Sequence, residues 1–277
     1  MKTLQPSSLA TFTLLFVSFA FSVNAYGQTD TCTFSFHKHK IKSSYLEEER
    51  TFWVSLPLNY SDTMTYNVMY VLDAEWRFNL VRNIEFDYSA NNKIDKHIVV
   101  GIPHINWKSQ RGIDLSFSQS RIEYDGERVD STWYNSSNAG GGLHFYRYLT
   151  EELMPTVDAL YATNGNNTLV GHSMGGYFGG YILSMNHPFT NLHLFDPSIW
   201  YSNGEVVEVI KKGIPKKEKV NVFITYQPQP AFHKKKIEAL IEELKHSNKI
   251  KLNHHLYNNQ THNSLFLPSF LEALKLQ

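Results

Sequence analysis

Six consecutive residues constrain this chain more than any others: Gly171-His172-Ser173-Met174-Gly175, extended by Gly176. They stand between a short apolar run at 168–171 and a helical pattern at 174–185. A G-x-S-x-G segment in that setting describes a strand that reverses sharply into a helix with the serine at its apex. Glycines on both sides let the two backbones approach, so the hydroxyl projects from the edge of a sheet. The Met174 amide, at the start of the helix, points to where a negative oxygen would develop.

The flanking sequence repeats the same unit. Apolar runs at 67–72, 97–101, 168–171, 192–195, 220–226 and 250–257 alternate with helical patterns at 76–89, 143–161, 174–185, 231–245 and 264–276. That alternation predicts an α/β fold: a mostly parallel central sheet with helices on both faces. Ahead of it, 33–41 and 50–56 read as an antiparallel N-terminal strand pair. Leu149, Leu153, Val157 and Leu160 recur at helical spacing and read as core. The longest irregular stretch, 103–142, has the length of a binding or lid element.

The N-terminus reads differently. Lys2, an apolar run at 9–23 and Val23-Asn24-Ala25 match a secretory signal. Residues 1–25 are therefore expected to be removed, leaving a single domain at 26–277 that is exported, periplasmic or secreted. The run is shorter than the roughly 20 residues that span a bilayer, and no other stretch approaches that length. Cys32 is the single cysteine, so an intramolecular disulfide and a cysteine metal cluster are both excluded. Lysine plus arginine equals aspartate plus glutamate at 26 each, which leaves no basic field for nucleic acid. No metal and no cofactor is implied, and the partner expected is a small-molecule ester.

A serine hydroxyl attacks only when a base takes its proton. Of 13 histidines, His262 follows the last strand and precedes the closing helix, the place in chain order where strand–turn–helix hydrolases carry their base. His254 and His255 lie inside that strand, and His172 is fixed beside the serine by the turn. Trp107, Trp133, Trp200 and Tyr201 fall in loops expected to border the mouth, where rings suit an aryl or acyl group. Arg111 and Asp114 read as a pair bracing the loop after Gly101.

The order of several further segments is more specific than the turn alone: Tyr70-Val71-Leu72-Asp73-Ala74-Glu75, Val99-Val100-Gly101-Ile102-Pro103, Arg111 with Asp114-Leu115, 145–155, Pro197-Ser198-Ile199-Trp200-Tyr201 and Thr261-His262-Asn263-Ser264. With them the chain resembles the Putative esterase family of α/β-hydrolases, which includes ferric-enterobactin-type siderophore esterases, esterase D and the mycobacterial mycolyltransferases. The resemblance implies an α/β-hydrolase fold and a serine carboxylic-ester hydrolase that works through an acyl-enzyme at Ser173. It also implies His262 as base and an oxyanion hole from the Met174 and Glu75 amides. Trp107, Trp200 and Tyr201 are the expected substrate contacts.

The acid departs from the family pattern. The usual carboxylate position, just after the strand at 220–226, is Gln227. Three readings follow: Asp196, which ends the preceding strand, supplies the carboxylate; Ser173 and His262 work as a dyad; or the cleft binds its ligand with weakened or lost catalysis.

Overall fold

The computed structural model describes residues 35–104, 106, 109–215 and 218–276. The signal segment with Ala25, together with Cys32 and Trp107, lies outside the described residues.

Eight strands form one sheet in the order β1-β2-β4-β3-β5-β6-β7-β8. β1 (His37–Lys42) and β2 (Glu49–Ser55) are antiparallel, and β2 joins the rest antiparallel to β4 (His97–Ile102). β3 (Tyr66–Leu72), β4, β5 (Thr163–His172), β6 (Asn191–Phe195), β7 (Val220–Tyr226) and β8 (Ile250–Leu256) are parallel. The inner strands are near-continuous apolar runs because helices cover both faces. Along β3 the side chains alternate between two cores: Val68, Tyr70 and Leu72 enter one, Met69 and Val71 the other.

The smaller core is closed by α1 (Ala74–Ala90) and α8 (Phe266–Ala273) through Phe78, Val81, Phe266 and Phe270. The larger core lies under α3 (Gly142–Arg147), α4 (Met154–Leu160), α5 (Met174–Ile182), α6 (Glu205–Lys211) and α7 (Ala231–Lys245). A short α2 (Gln110–Leu115) interrupts the irregular stretch after β4. Among the described residues no helix is long and apolar enough to cross a membrane.

Two expectations needed correction. The helix expected over 143–161 is α3 and α4 joined by a widened π-turn, Tyr148–Leu153. Pro155 follows that turn; it has no N–H to donate and its ring crowds the carbonyl four residues back, a conflict that a wider turn relieves. Leu149, Leu153 and Val157 are fully buried as expected, but Leu160 is 50% exposed because the helix ends there and turns away from the core.

Candidate active site

The parallel strands share one carboxyl-terminal rim, and the register decides which residues meet there. His172 pairs with Phe195, Phe195 with Thr225, and Tyr226 with Leu256. The residues that follow, Ser173, Asp196 and Gln227, therefore emerge side by side, and the loop after β8 carries His262 back over them. Open α/β sheets bind ligands at this rim.

Ser173 sits at φ 59°, ψ −119°, a backbone state costly for a residue with a side chain. Its surroundings fix it: its N–H donates to Phe195 O at 3.0 Å, and its carbonyl accepts from Ser198 N at 2.9 Å. The turn needs glycine where the backbones touch. A Cβ on Gly171 would lie 2.3 Å from the Gly175 carbonyl oxygen, and one on Gly176 would lie 2.8 Å from Pro197. Met174 and Glu75 both occupy first helical turns, of α5 and α1, where N–H groups lack intrahelical partners.

His262 Nδ1 donates to Asp196 Oδ2 at 2.7 Å. Asp196 has no exposed surface and, like Ser173, positive φ (42°). Its other oxygen accepts from His233 Nε2 at 2.9 Å, a residue of α7 that the sequence reading missed. Burial pushes the Asp196 carboxyl up, but the hydrogen bonds from His233 and His262 outweigh it and hold it down to about 2. The Gln227 side chain takes no part in this: it bonds the backbone of Gln229 within its own turn, and only the Gln227 backbone N–H reaches Asp196 Oδ1, at 3.4 Å.

His172 holds the loop that carries the imidazole. Arginine can only donate, so His172 Nδ1 accepts from Arg77 at 3.2 Å and Nε2 must carry the hydrogen donated to the His262 carbonyl at 2.7 Å. The two rings lie 4.6 Å apart. Burial first, then the nearby His262 and Arg77, lowers His172 to about 3, so the ring is neutral at ordinary pH.

Ser173, Ser198, His233 and His262 open onto one cavity of about 670 Å³. Ser173 Oγ lies 3.3 Å from Ser198 Oγ, and no direct Ser173–His262 bond is present among the described residues. Trp200 lines the cavity with Tyr124, which the sequence reading did not single out. Tyr201 does not: it is buried, donates to the Ser118 carbonyl at 3.0 Å and packs against Tyr177, whereas Trp200, itself largely buried, borders the cavity. Trp133 is 60% exposed and stands apart from the cavity wall.

The expected Arg111–Asp114 pair is replaced by two others. Arg111 grips Asp73 with its Nε and Nη2 at 2.5 and 3.0 Å, bracing the residue that caps α1. Asp114 takes a bidentate contact from Arg50 of β2 at 2.8 Å and a further bond from His104 at 2.7 Å. The α2 helix points the two neighbours to opposite partners. Burial raises both carboxyls, yet Arg111 at Asp73, and His104 with Arg50 at Asp114, keep them below the usual carboxylate range. Glu75 is not a solvated acid: its carboxylate accepts the His104 amide at 2.8 Å.

Asp196, His233 and His262 also offer ligand atoms within 4.8 Å of one another, a group that could take a metal ion. Doing so would require both imidazoles to give up the protons that now bond the carboxylate.

Comparison with known proteins agrees with this architecture. The profile of the family described as Putative esterase matches residues 43–188, just over half of the chain. The uncharacterized protein YjcH of Bacillus subtilis (strain 168) is 26% identical over 181 residues, covering 62% of this chain and 65% of that protein; the chain thus matches slightly less than two thirds of that relative's length. Among solved structures, the IroE-like serine hydrolase of Shewanella oneidensis has 24% identity and a TM-score of 0.77, covering 87% of this chain and 79% of that one. The siderophore hydrolase EstA of Aspergillus nidulans has 16% identity and a TM-score of 0.74, covering 97% and 98%. The enterobactin esterase FES of Shigella flexneri has 17% identity and a TM-score of 0.69, covering 87% and 58%. At these identities the likeness is one of fold, the α/β-hydrolase fold, and the profile match is what decides the family. The chain belongs to the Putative esterase family.

Proposed function

We propose that this protein is an exported serine esterase that cleaves a carboxylic ester through an acyl-enzyme, with Ser173 as nucleophile, His262 as base and Asp196 as the acid. The observation that carries the reading is the 2.7 Å bond from His262 Nδ1 to Asp196 beside a serine held at the apex of a strand–helix turn. With Nδ1 committed to the carboxylate, Nε2 is the nitrogen that accepts the Ser173 proton. Oγ attacks the ester carbonyl, and the Met174 and Glu75 amides stabilise the resulting oxyanion. The imidazolium, stabilised by Asp196, passes its proton to the departing alkoxide. Water then repeats the sequence on the acyl-enzyme and frees the acid.

Ser173 and His262 line the same cavity, and bonds between nucleophile and base commonly tighten only with substrate in place. The ester is of siderophore, aryl or acyl type. Asp196 removes the main motive for reading the protein as a binder that has lost catalysis, since the neutral amide at 227 no longer has to serve as acid.

A fluorophosphonate probe should label Ser173, and a p-nitrophenyl ester should give a burst of nitrophenol followed by slower turnover. No labelling and no burst in correctly folded protein would end the esterase reading. Export is tested separately: N-terminal sequencing of protein recovered outside the cytoplasm should begin after Ala25.

A further inference from the structure

The cavity beside Ser173 is unusual for what its wall lacks. Among the described residues lining it there is no lysine, arginine, aspartate or glutamate. Two arginines on the Ser173 side are committed elsewhere: Arg77 bonds His172 and covers the Phe266 ring at 4.2 Å, and Arg111 is bound to Asp73. Asp196 lies fully covered behind His233 and His262. Rings, prolines and neutral amides make the wall instead, with Tyr124 and Trp200 edge to face at 6.5 Å.

Tyr124 is held in place, although it is 52% exposed. It sits in a tight turn closed by the Ile122–Arg128 bridge and by Glu123 N donating to Glu127 O at 2.9 Å. Gly126 at φ 96° lets that turn press on Phe232 of α7, where a Cβ would come within 3.0 Å of the ring. The aromatic wall is therefore braced from the same helix that carries His233.

An anion entering this cavity would shed water without meeting a cation among the described lining residues, whereas a flat apolar group would exchange water for an aromatic wall. Resting on the esterase reading above and narrowing its substrate, we infer that the group seated in the cavity is uncharged and aromatic or similarly flat. It packs against the wall that Trp200 and Tyr124 form together while Ser173 attacks. An iron-loaded tris-catecholate, a polyanion, is the wrong electrostatic class for this wall.

The test uses esters sharing one leaving group on the mature protein: p-nitrophenyl butyrate, p-nitrophenyl phenylacetate and the negatively charged p-nitrophenyl hemisuccinate. The hemisuccinate should have kcat/KM at least about tenfold below the butyrate, with phenylacetate equal to or better than butyrate. Gln260→Lys, which places a cation on the wall, should narrow the hemisuccinate deficit to within about threefold. Hemisuccinate turnover equal to or faster than butyrate in the wild type, or a catecholate trilactone outcompeting both neutral esters, overturns the inference. If that happens while the fluorophosphonate still labels Ser173, the esterase reading stands and only the substrate class falls. If no ester turns over and Ser173 is not labelled, both fall together.

Discussion

Asp196 receives one imidazole on each oxygen, so the two histidines differ in role although they touch the same carboxylate. Asp196→Asn removes the charge that stabilises the His262 imidazolium and should reduce kcat by about 10⁴-fold with little change in KM, by analogy with the serine-protease acid. Because the carboxyl is held down to about 2, it stays ionised throughout any working range, and the acid limb of the wild-type pH–rate profile belongs to another group. His233→Leu leaves Oδ1 with only the Gln227 amide at 3.4 Å. The carboxylate can then swing, and kcat should fall by about 10- to 100-fold. His233→Gln returns an N–H near the same place and should recover most of the loss. Equal kcat and superimposable pH profiles for the leucine and wild-type proteins would remove His233 from the machinery. The places of Ser173 and His262 at the strand rim were legible in the sequence because local constraints mark them: glycines that only a strained turn needs, and a fixed place after the last strand. His233 was not. It lies on the same helical stripe as Ile237, Leu240, Ile241 and Leu244, where a lone polar residue reads as a satisfied core histidine until the partner strand end is known.

Strands were the readable elements, since β-branched runs buried on both faces announce themselves, and β7 and α7 keep the bounds expected for them. Pairings across elements were not readable. Arg111 and Asp114 lie three residues apart, yet one faces Asp73 and the other Arg50, 64 residues away along the chain. The Arg50–Asp114–His104 cluster ties β2 to α2 and so fixes the start of the loop that supplies Tyr124. Arg50 is 1% exposed, so Arg50→Ala strands a buried carboxylate and should cost about 3–5 kcal/mol, read as a lower midpoint in urea unfolding. Adding Asp114→Ala should recover part of that loss. A double variant less stable than the single by the full cost of a second independent deletion would show that the two charges do not act as a pair.

Acid should loosen the molecule as a whole. Burial lowers His97 to about 4 and, with neighbouring positive groups, His172 and His193 to about 3. The unfolded chain binds these protons below about pH 6.5 and the folded one refuses them, so their contribution is complete above that pH and falls as pH drops toward 4. Glu85 acts in the opposite sense: burial raises it to about 7, so it favours the folded state as pH falls from about 7 to 4.5. Burial raises Glu205 in the same sense, yet three histidines outweigh the two carboxyls, and stability should decline by roughly 1–3 kcal/mol per pH unit between about 6.5 and 4.5. A Tm that rises over that interval would contradict neutral burial of these rings. The shared strand rim carries a different kind of consequence. Neighbouring strand ends stand about 4.8 Å apart, a step that one side chain can span. Under the proposed mechanism the acid is thus portable between adjacent sockets while Ser173 and His262 stay put. A carboxylate moved from 196 to 227, as Asp196→Asn with Gln227→Glu, should regain part of the lost turnover, a route by which relatives sharing this sheet can keep their chemistry while exchanging the residue that supports it.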